Sequence, residues 1–318
     1  MDKRYNKLER KAPRLAMSLL VRDEADIVAE NILYHAAHGV SYFVVTDNGS
    51  VDGTRATLER LKSHVNLHII DEPNQTIDQD IWVTRMALWL TQHTDADWVI
   101  NNDADEFWVT EEGNLIDAVC RDLQEAEKSD VGVLYCSRFN YLPVTEDLTS
   151  GSYRFYMNRV KVINDLDSSR GANKDNVLIT LQGEKVMSRL DGLRSVGMGN
   201  HGAVHDACSV KSKNITIAHY PLREYKQFES KVVNHGTSIR NNSRFGPQVN
   251  WHLRNWYECY KTGVLREEYY KYVIDSDLLC SLLSDGVIIE DTRLCNRLAK
   301  YDQFKVTEAE HERKTSEV

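Results

Sequence analysis

At 318 residues, 42% hydrophobic and 27% charged, the chain has the make-up of an ordinary globular protein, sized for one large α/β domain or a core domain with an appended lobe. Its formal net charge of −9 argues against nucleic acid as a partner, and its longest apolar runs fall far short of the roughly 20 residues that a transmembrane segment requires. Six cysteines without a CxxC, and a charged start over 1–13 with no apolar centre, fit reduced thiols in a cytoplasmic setting rather than a disulfide framework, a zinc site or a secreted precursor.

In chain order, apolar strands alternate with helices. Leu15–Val21 reads as the first strand. Residues 24–38 read as a helix, with Val28, Ile32 and Ala36 four apart on one face and Gly39 at its end. Residues 42–46 form the second strand, 54–63 the second helix and 65–70 the third strand. Gln79–His93 is the third helix and 97–101 the fourth strand. Strands this apolar, separated by helices, predict a parallel sheet with right-handed crossovers. Ligands of such sheets bind beyond the carboxyl ends of the strands. Arg22 and Asp23, Asp47 and Asn48, and Asp103 and Asp105 follow the first, second and fourth strands, so they should share one cleft.

The loop 47–54 (Asp-Asn-Gly-Ser-Val-Asp-Gly-Thr) has two glycines that admit positive φ and close approach of a ligand. Ser50 and Asp52 are both placed to cap the second helix. An ordinary strand-to-helix turn has the same composition.

The fourth strand runs straight into Asp103, Asp105 and Glu106 before apolar character resumes at Phe107, Trp108 and Val109. Two carboxylates about 4 Å apart repel by roughly 4 kcal/mol at an effective dielectric of about 20, so acids packed at a buried strand end call for a cation. Hard oxygen ligands on alternate residues suit Mg²⁺ or Mn²⁺ completed by substrate phosphates. The Asp-x-Asp pattern is cheap in itself and recurs at Asp78/Asp80, Asp95/Asp97, Asp165/Asp167 and Asp275/Asp277. Only the copy at Asp103 and Asp105 follows directly on a strand-like run and is fenced by aromatics.

Charge is unevenly spread. Residues 71–130 hold 16 acids against 3 Lys/Arg, whereas 185–271 hold 14 Lys/Arg against 7 acids. One part can hold a metal and the other can face phosphates or an anionic acceptor. Beyond residue 130, Val131–Leu142 and 153–163 look like strands, and 165–176 is a polar loop suited to an acceptor-side flap. From Arg223 the pattern turns helical, over 223–239, 249–261, 267–283 and 292–301. The aromatics there (Trp251, Trp256, Tyr257, Tyr260, Tyr269, Tyr270, Tyr272) read first as packing core and second as stacking faces for a sugar.

Four motifs stand in order: 17–27 (Met-Ser-Leu-Leu-Val-Arg-Asp-Glu-Ala-Asp-Ile), 34–40 (Tyr-His-Ala-Ala-His-Gly-Val), 47–54, and 103–107 (Asp-Ala-Asp-Glu-Phe). They are followed by 199–202 (Gly-Asn-His-Gly) and 219–231 (His-Tyr-Pro-Leu-Arg-Glu-Tyr-Lys-Gln-Phe-Glu-Ser-Lys). Together these resemble the family-2-type glycosyltransferases of GT-A fold, in particular the soluble branch with a DxDEF acid motif.

The resemblance implies an α/β fold: a GT-A-like (Rossmann-like), mostly parallel sheet flanked by helices over 14–222. A C-terminal helical extension over 223–306 would pack on it, with flexible tails at 1–13 and 307–318. It implies a transferase dependent on Mn²⁺ or Mg²⁺, with a nucleotide-sugar donor (a UDP-sugar foremost) and a glycan or lipid-linked acceptor. Transfer would be inverting and serve cell-surface polysaccharide synthesis, in the cytoplasm or peripherally at the inner face of the membrane. By position, Arg22, Asp23 and Asp47, with Asn48 beside them, would line the base and ribose pocket. Asp103 and Asp105 would hold the metal that bridges the diphosphate, His219 would be its distant third ligand, and Arg223, Lys226 and Lys231 would neutralise the leaving group.

Inverting relatives carry a Glu-Asp pair on a Gly-rich loop between the acid motif and the late histidine. This chain has Gly-Met-Gly-Asn-His-Gly-Ala-Val-His-Asp over 197–206 instead. His201 and Asp206 are therefore the candidate bases, with His205, Asp191 and Glu106 behind them; His201 lies nearest the glycine turn and titrates near neutrality when unperturbed. Two other classes stay open. A sugar-phosphate nucleotidyltransferase would carry a Gly-rich basic loop after the first strand, where this chain has Val-Arg-Asp-Glu-Ala over 21–25. A non-catalytic glycan-binding module would not need the acids, the late histidine and the basic helix intact.

Overall fold

The computed structural model describes residues 13–74, 78–126, 130–145, 155–157, 166–167, 172–173, 178–179, 182–241 and 251–298. Its first half is built from β1 (Leu15–Val21), α1 (Val28–Ala37), β2 (Val40–Asp47), α2 (Thr54–Leu61), β3 (Leu67–Asp71), α3 (Gln79–His93) and β4 (Trp98–Asp103). These strands pair in parallel in the order β3-β2-β1-β4. β1 is buried on both faces, which explains its unbroken apolar sequence. Leu15, Met17 and Leu19 join a core with α1 residues Val28 and Ile32, while Ala16 faces Val83, Met86 and Leu90 of α3.

The chain then doubles back. β5 (Glu106–Thr110) follows β4 after only Ala104 and Asp105, and α4 (Leu115–Glu125) starts at an Asn114/Asp117 capping box. So short a link cannot return β5 to a parallel course, and β5 pairs antiparallel with a distant strand instead. The sheet is consequently mixed rather than mostly parallel. After β6 (Val131–Leu142) come three short strands, β7 (Phe155–Met157), β8 (Leu166–Asp167) and β9 (Ala172–Asn173). Then follow β10 (Lys185–Arg189), the hairpin of β11 (Leu193–Val196) and β12 (Ala203–His205), and β13 (Cys208–His219). β10 fills the gap between β4 and β6, antiparallel to both. β13 lies between β5 and β6, antiparallel to the first and parallel to the second. Of the expected strand over 153–163, only β7 lies in the described residues, and of the loop over 165–176 only β8 and β9; of the tails, all but residue 13 lies outside them.

The C-terminal helices are α5 (Tyr225–Asn241), α6 (Trp251–Lys261), α7 (Leu265–Tyr270), α8 (Ser276–Ser284) and α9 (Cys295–Leu298), with β14 (Ile288–Glu290) pairing β7. Phe228, Val232, Leu253, Trp256, Tyr269 and Tyr272 form their core together with Leu142, which ends β6, and Val144 just beyond it. Trp256, Tyr269 and Tyr272 are thus packing residues, whereas Tyr260 and Tyr270 are exposed. The single helix expected over 267–283 is two. Ile274 is fully buried and its N–H donates to the carbonyl of Pro143, pulling the chain out of helical register, and Asp275 caps the restart at α8.

Register sets the ends of the sheet. Leu20 stands opposite Asp103 and Val21 opposite Asp47, so the carboxyl ends of β1, β2 and β4 are level. Because β10 runs the other way, with Arg189 opposite Trp98, Lys185 lies at that same edge and Asp191 at the opposite one.

Candidate active site

The acidic turn sends its carboxylates in different directions. Asp103 Oδ2 accepts from Lys185 Nζ at 2.6 Å, and its Oδ1 from Gln79 Nε2 and Asn200 Nδ2, both at 3.3 Å. Glu106 points inward and is fully buried; its Oε1 meets Arg138 at 2.7 Å and Lys185 at 3.0 Å. Burial works against the Glu106 charge, but Lys185 and then Arg138 outweigh it and hold its carboxyl below the usual range. Asp105 faces the C-terminal helices. Its Oδ2 meets Lys231 Nζ at 2.9 Å, His219 Nε2 at 3.7 Å and an Arg223 nitrogen at 3.8 Å. Here too burial opposes ionisation, and Lys231 first, with Arg223, holds the carboxyl well below its ordinary value.

His219 ends β13, opposite Glu106 on one side and Asn140 on the other. Asn140 donates its amide N–H to the carbonyl of Leu178, so its Oδ1 is the atom facing His219 Nδ1 at 2.7 Å. That arrangement puts the proton on Nδ1 and leaves the Nε2 lone pair toward Asp105. Burial lowers the His219 pKa, against the pull of Asp105, which keeps the ring neutral. One carboxylate and one neutral imidazole fit a small divalent cation that takes its other ligands from phosphate and water. Asp103, tied to Lys185, stands apart from this pair. Among the described residues no cluster of three or more His, Cys, Asp or Glu is arranged to hold a metal unaided.

The expected nucleotide pocket lies at the same edge. Asp23, in a left-handed conformation (φ 57°), accepts from Val51 N–H at 2.7 Å and Asn234 Nδ2 at 2.6 Å. Asp47 Oδ1 accepts from Ser50 N–H, and Asn48 donates to the carbonyls of Glu72 and Asn74. These side chains tie the β1, β2 and β3 ends together and so shape the edge. Neither Ser50 nor Asp52 is the N-cap of α2; Gly53 is, at φ 129°, while Asp52 accepts from the Thr54 N–H. Arg22 is half-buried at the lip, and its Nε has no hydrogen-bond partner among the described residues. Arg223 is buried against Glu24 and Asp26, and Lys231 meets Asp105, whereas Lys226 is exposed. Burial pushes the Glu24 carboxyl up to about 7, despite Arg223 beside it.

The candidate bases separate. His201 belongs to the loop at the carboxyl edge, directly after Asn200, whose side chain reaches Asp103. Its Nδ1 donates to the carbonyl of Glu184 at 2.7 Å, so Nε2 carries the lone pair on an exposed ring. Burial of part of the ring lowers its pKa against that carbonyl contact, and Lys185 and Arg138 push the same way. Asp206 is a correction. It pairs with Arg194 through both oxygens, is exposed, and its N–H donates to the carbonyl of Gly192, beside Asp191, at the far end of β10. It therefore stands across the sheet from Asp103. The same end holds Asp191 and His205, whose ring sits over Gly132 and Gly192, accepts from Ala207 N–H and donates to the Arg189 carbonyl.

Sequence reasoning missed Lys185, Arg138, Gln79 and Asn200. A lysine opening β10 ahead of Val186 and Met187 was the available signal for the first, and Asn200 lies in the 199–202 motif; nothing in the local sequence marks Arg138 or Gln79.

Residues 16–259 match the profile of glycosyltransferase family 92, well over half the chain. No curated protein matches the sequence. Among solved structures, S. aureus TarS in complex with UDP is similar at 12% identity and a TM-score of 0.38, over 85% of this chain and 72% of that one. Its complex with UDP-GlcNAc gives 11% and 0.39 over 85% and 73%. Glucosyl-3-phosphoglycerate synthase from Mycobacterium tuberculosis, in complex with Mn²⁺, UDP and glucosyl-3-phosphoglycerate, gives 15% and 0.33 over 71% and 77%. Likeness at this level says nothing of substrate or chemistry.

Proposed function

The chain belongs to glycosyltransferase family 92, and from that premise we propose that it moves a sugar from a nucleotide diphosphate donor, a UDP-sugar foremost, to a hydroxyl of a glycan or lipid-linked acceptor in cell-surface polysaccharide synthesis. The convergence of Lys231, Arg223 and His219 on Asp105, at the carboxyl edge of the parallel strands, carries the reading. Lys231 and Arg223 are cations of the kind a diphosphate leaving group needs. Family membership favours a transferase over the nucleotidyltransferase and the glycan-binding module.

In this reading the ends of β1 and β2, shaped by Asp23, Asp47 and Asn48, receive the nucleoside. Asp105 and His219 would hold Mn²⁺ or Mg²⁺, which supplies charge neutralisation at the diphosphate when bound. Lys231 and Arg223 give up acidic partners for phosphate oxygens. Asp103 is kept rigid by Lys185, Gln79 and Asn200 beside the transferring sugar. His201 Nε2 takes the proton of the acceptor hydroxyl as its oxygen bonds to the anomeric carbon. The bond from that carbon to the diphosphate breaks, and its electron pair leaves on the phosphate oxygen. A single displacement of this kind inverts the anomeric centre. No described helix is long and apolar enough to cross a membrane.

The test is calorimetric titration of UDP into the protein with Mn²⁺ or with EDTA, beside Asp105→Ala. Tighter binding with Mn²⁺, lost in the variant, is expected. Equal affinity with and without metal in the unaltered protein rejects the metal bridge, and absence of UDP binding rejects the donor.

A further inference from the structure

The acidic turn is held from beneath by a residue in none of the sequence motifs. Asn31, in the middle of α1, is fully buried. Its Nδ2 donates both hydrogens into the turn, to the carbonyl of Ala104 at 2.9 Å and to that of Glu106 at 2.8 Å. Those two carbonyls flank Asp105. On its other side, Asn31 Oδ1 accepts from Asn102 Nδ2 at 3.1 Å, and Asn102 donates in turn to the Glu106 carbonyl and accepts from the Trp108 indole. The third carbonyl of the turn, that of Asp105, accepts from Tyr220 N–H at 2.8 Å. Three successive carbonyls are thereby fixed; Asn31 donates to two of them and shares the Glu106 carbonyl with Asn102.

We propose that Asn31 is a positioning residue for the reaction: by clamping the carbonyls on both sides of Asp105, it aims that carboxylate at the point where His219, Lys231 and Arg223 converge. This rests on the reading of Asp105 as the residue that meets the donor's diphosphate and its metal. The physical case is the geometry of the amide. Only a planar group with two N–H bonds reaches both carbonyls from one atom, and it does so where neither can find water. Without it, the Ala104 carbonyl loses its side-chain donor, the Glu106 carbonyl keeps only Asn102, and the Asp103–Glu106 connection is freer to rotate. A shift of about 1 Å in the carboxylate suffices to spoil its geometry. Neighbouring α1 contacts do something different. Tyr34 Oη donates to the Trp108 carbonyl, and the Trp108 N–H donates to His35 Nε2; both bonds hold β5 further along and leave the turn alone.

The experiment compares Asn31→Ala and Asn31→Asp with Tyr34→Phe, which loosens the same seam of α1 and β5 without touching the turn. Two readouts are taken on the full chain. The first is the ratio of UDP affinities with Mn²⁺ and with EDTA, which a general loss of stability does not alter. Both Asn31 variants should lose at least about tenfold of that ratio, while Tyr34→Phe keeps it within about twofold at a comparable fall in Tm. The second is amide hydrogen exchange over 103–107, measured without nucleotide. It should quicken at Asp105 and Glu106 in the Asn31 variants while β4 and β13 stay protected. An unchanged ratio in Asn31→Ala, in a protein that otherwise shows the metal effect, overturns the proposal, as does unchanged exchange at the turn. If the unaltered protein binds no UDP, the donor reading fails, and the exchange measurement alone decides whether Asn31 holds the turn.

Discussion

Lys185 reaches Asp103 from a side chain that is 1% exposed, its ammonium 2.6 Å from Oδ2, and the same ammonium lies 3.0 Å from Glu106 Oε1. One buried cation thus spans two of the three acids of the turn, and Arg138 completes the charge balance at Glu106. The mutual repulsion expected of Asp103 and its neighbours is answered inside the protein, at least for this pair, by a strand the sequence places some 80 residues downstream.

Removing that cation should be costly. Lys185→Met leaves Glu106 buried with only Arg138, and breaking a buried pair from one side destabilises by about 3–5 kcal/mol. The double variant Lys185→Met with Glu106→Gln should regain part of the loss, because the uncompensated charge goes too. Urea denaturation of the two single variants and the double variant measures the coupling. A loss below about 1 kcal/mol for Lys185→Met would mean that the ammonium contributes no more than an exposed pair.

A second consequence concerns acid. His35 is fully buried, donates from Nδ1 to the Asn31 carbonyl and accepts at Nε2 from Trp108 N–H, so the folded ring has no place for a second proton. Burial lowers its pKa to about 3. The unfolded chain, with an ordinary histidine near pH 6.5, therefore binds the extra proton first. Stability contributed by the neutral ring is complete above about pH 6.5 and falls as pH drops toward 3, by at most about 1.4 kcal/mol per unit. His35→Gln should flatten that part of the curve. An unchanged slope between pH 6.5 and 4 in the variant would assign the loss to other groups.

What the sequence disclosed follows from range. The period of the apolar residues gave β1 to β4 and their helices, because neighbours along the chain build them. The level ends of β1, β2 and β4 followed from the rule for parallel sheets, and so did the grouping of Asp23, Asp47 and Asp103. The long-range pairings stayed hidden. Nothing near Asp206 shows that β10 runs antiparallel to β4, yet that reversal sends Asp206 to the far edge and brings Lys185 to the near one. Likewise the break between α7 and α8 depends on Ile274 meeting the end of β6, a contact across 130 residues.

The two loop candidates should now part in kinetics. With a UDP-sugar as donor, His201→Ala should lower kcat by about 10²–10⁴ and leave UDP affinity unchanged, as removal of a base does. Asp206→Asn should leave turnover intact and stability within about 0.5 kcal/mol, since its partner Arg194 is equally exposed. Because burial lowers the His201 pKa, the base form persists to a lower pH than an ordinary histidine allows, and kcat/KM should fall only below about pH 6.5. Full turnover in His201→Ala would return the base to an unassigned group.

The last expectation separates metal from nucleotide at Asp105. Lys231 lies 2.9 Å from the carboxylate and is itself partly exposed, so it both competes with a cation for Asp105 and stands ready for phosphate. Its removal should act with opposite signs. In Lys231→Met, Mn²⁺ alone should bind more tightly, because a unit positive charge about 4 Å away costs an incoming cation several kcal/mol at an effective dielectric of about 20. UDP in EDTA should bind more weakly, by about tenfold, for want of the ammonium. His219→Ala should weaken Mn²⁺ and leave UDP in EDTA unchanged, since its neutral ring offers phosphate no charge. Titration of Mn²⁺ followed by its paramagnetic signal, with calorimetry for UDP, reads both quantities. If Lys231→Met weakens Mn²⁺ and UDP together, Lys231 holds the site in shape rather than holding the place of a cation.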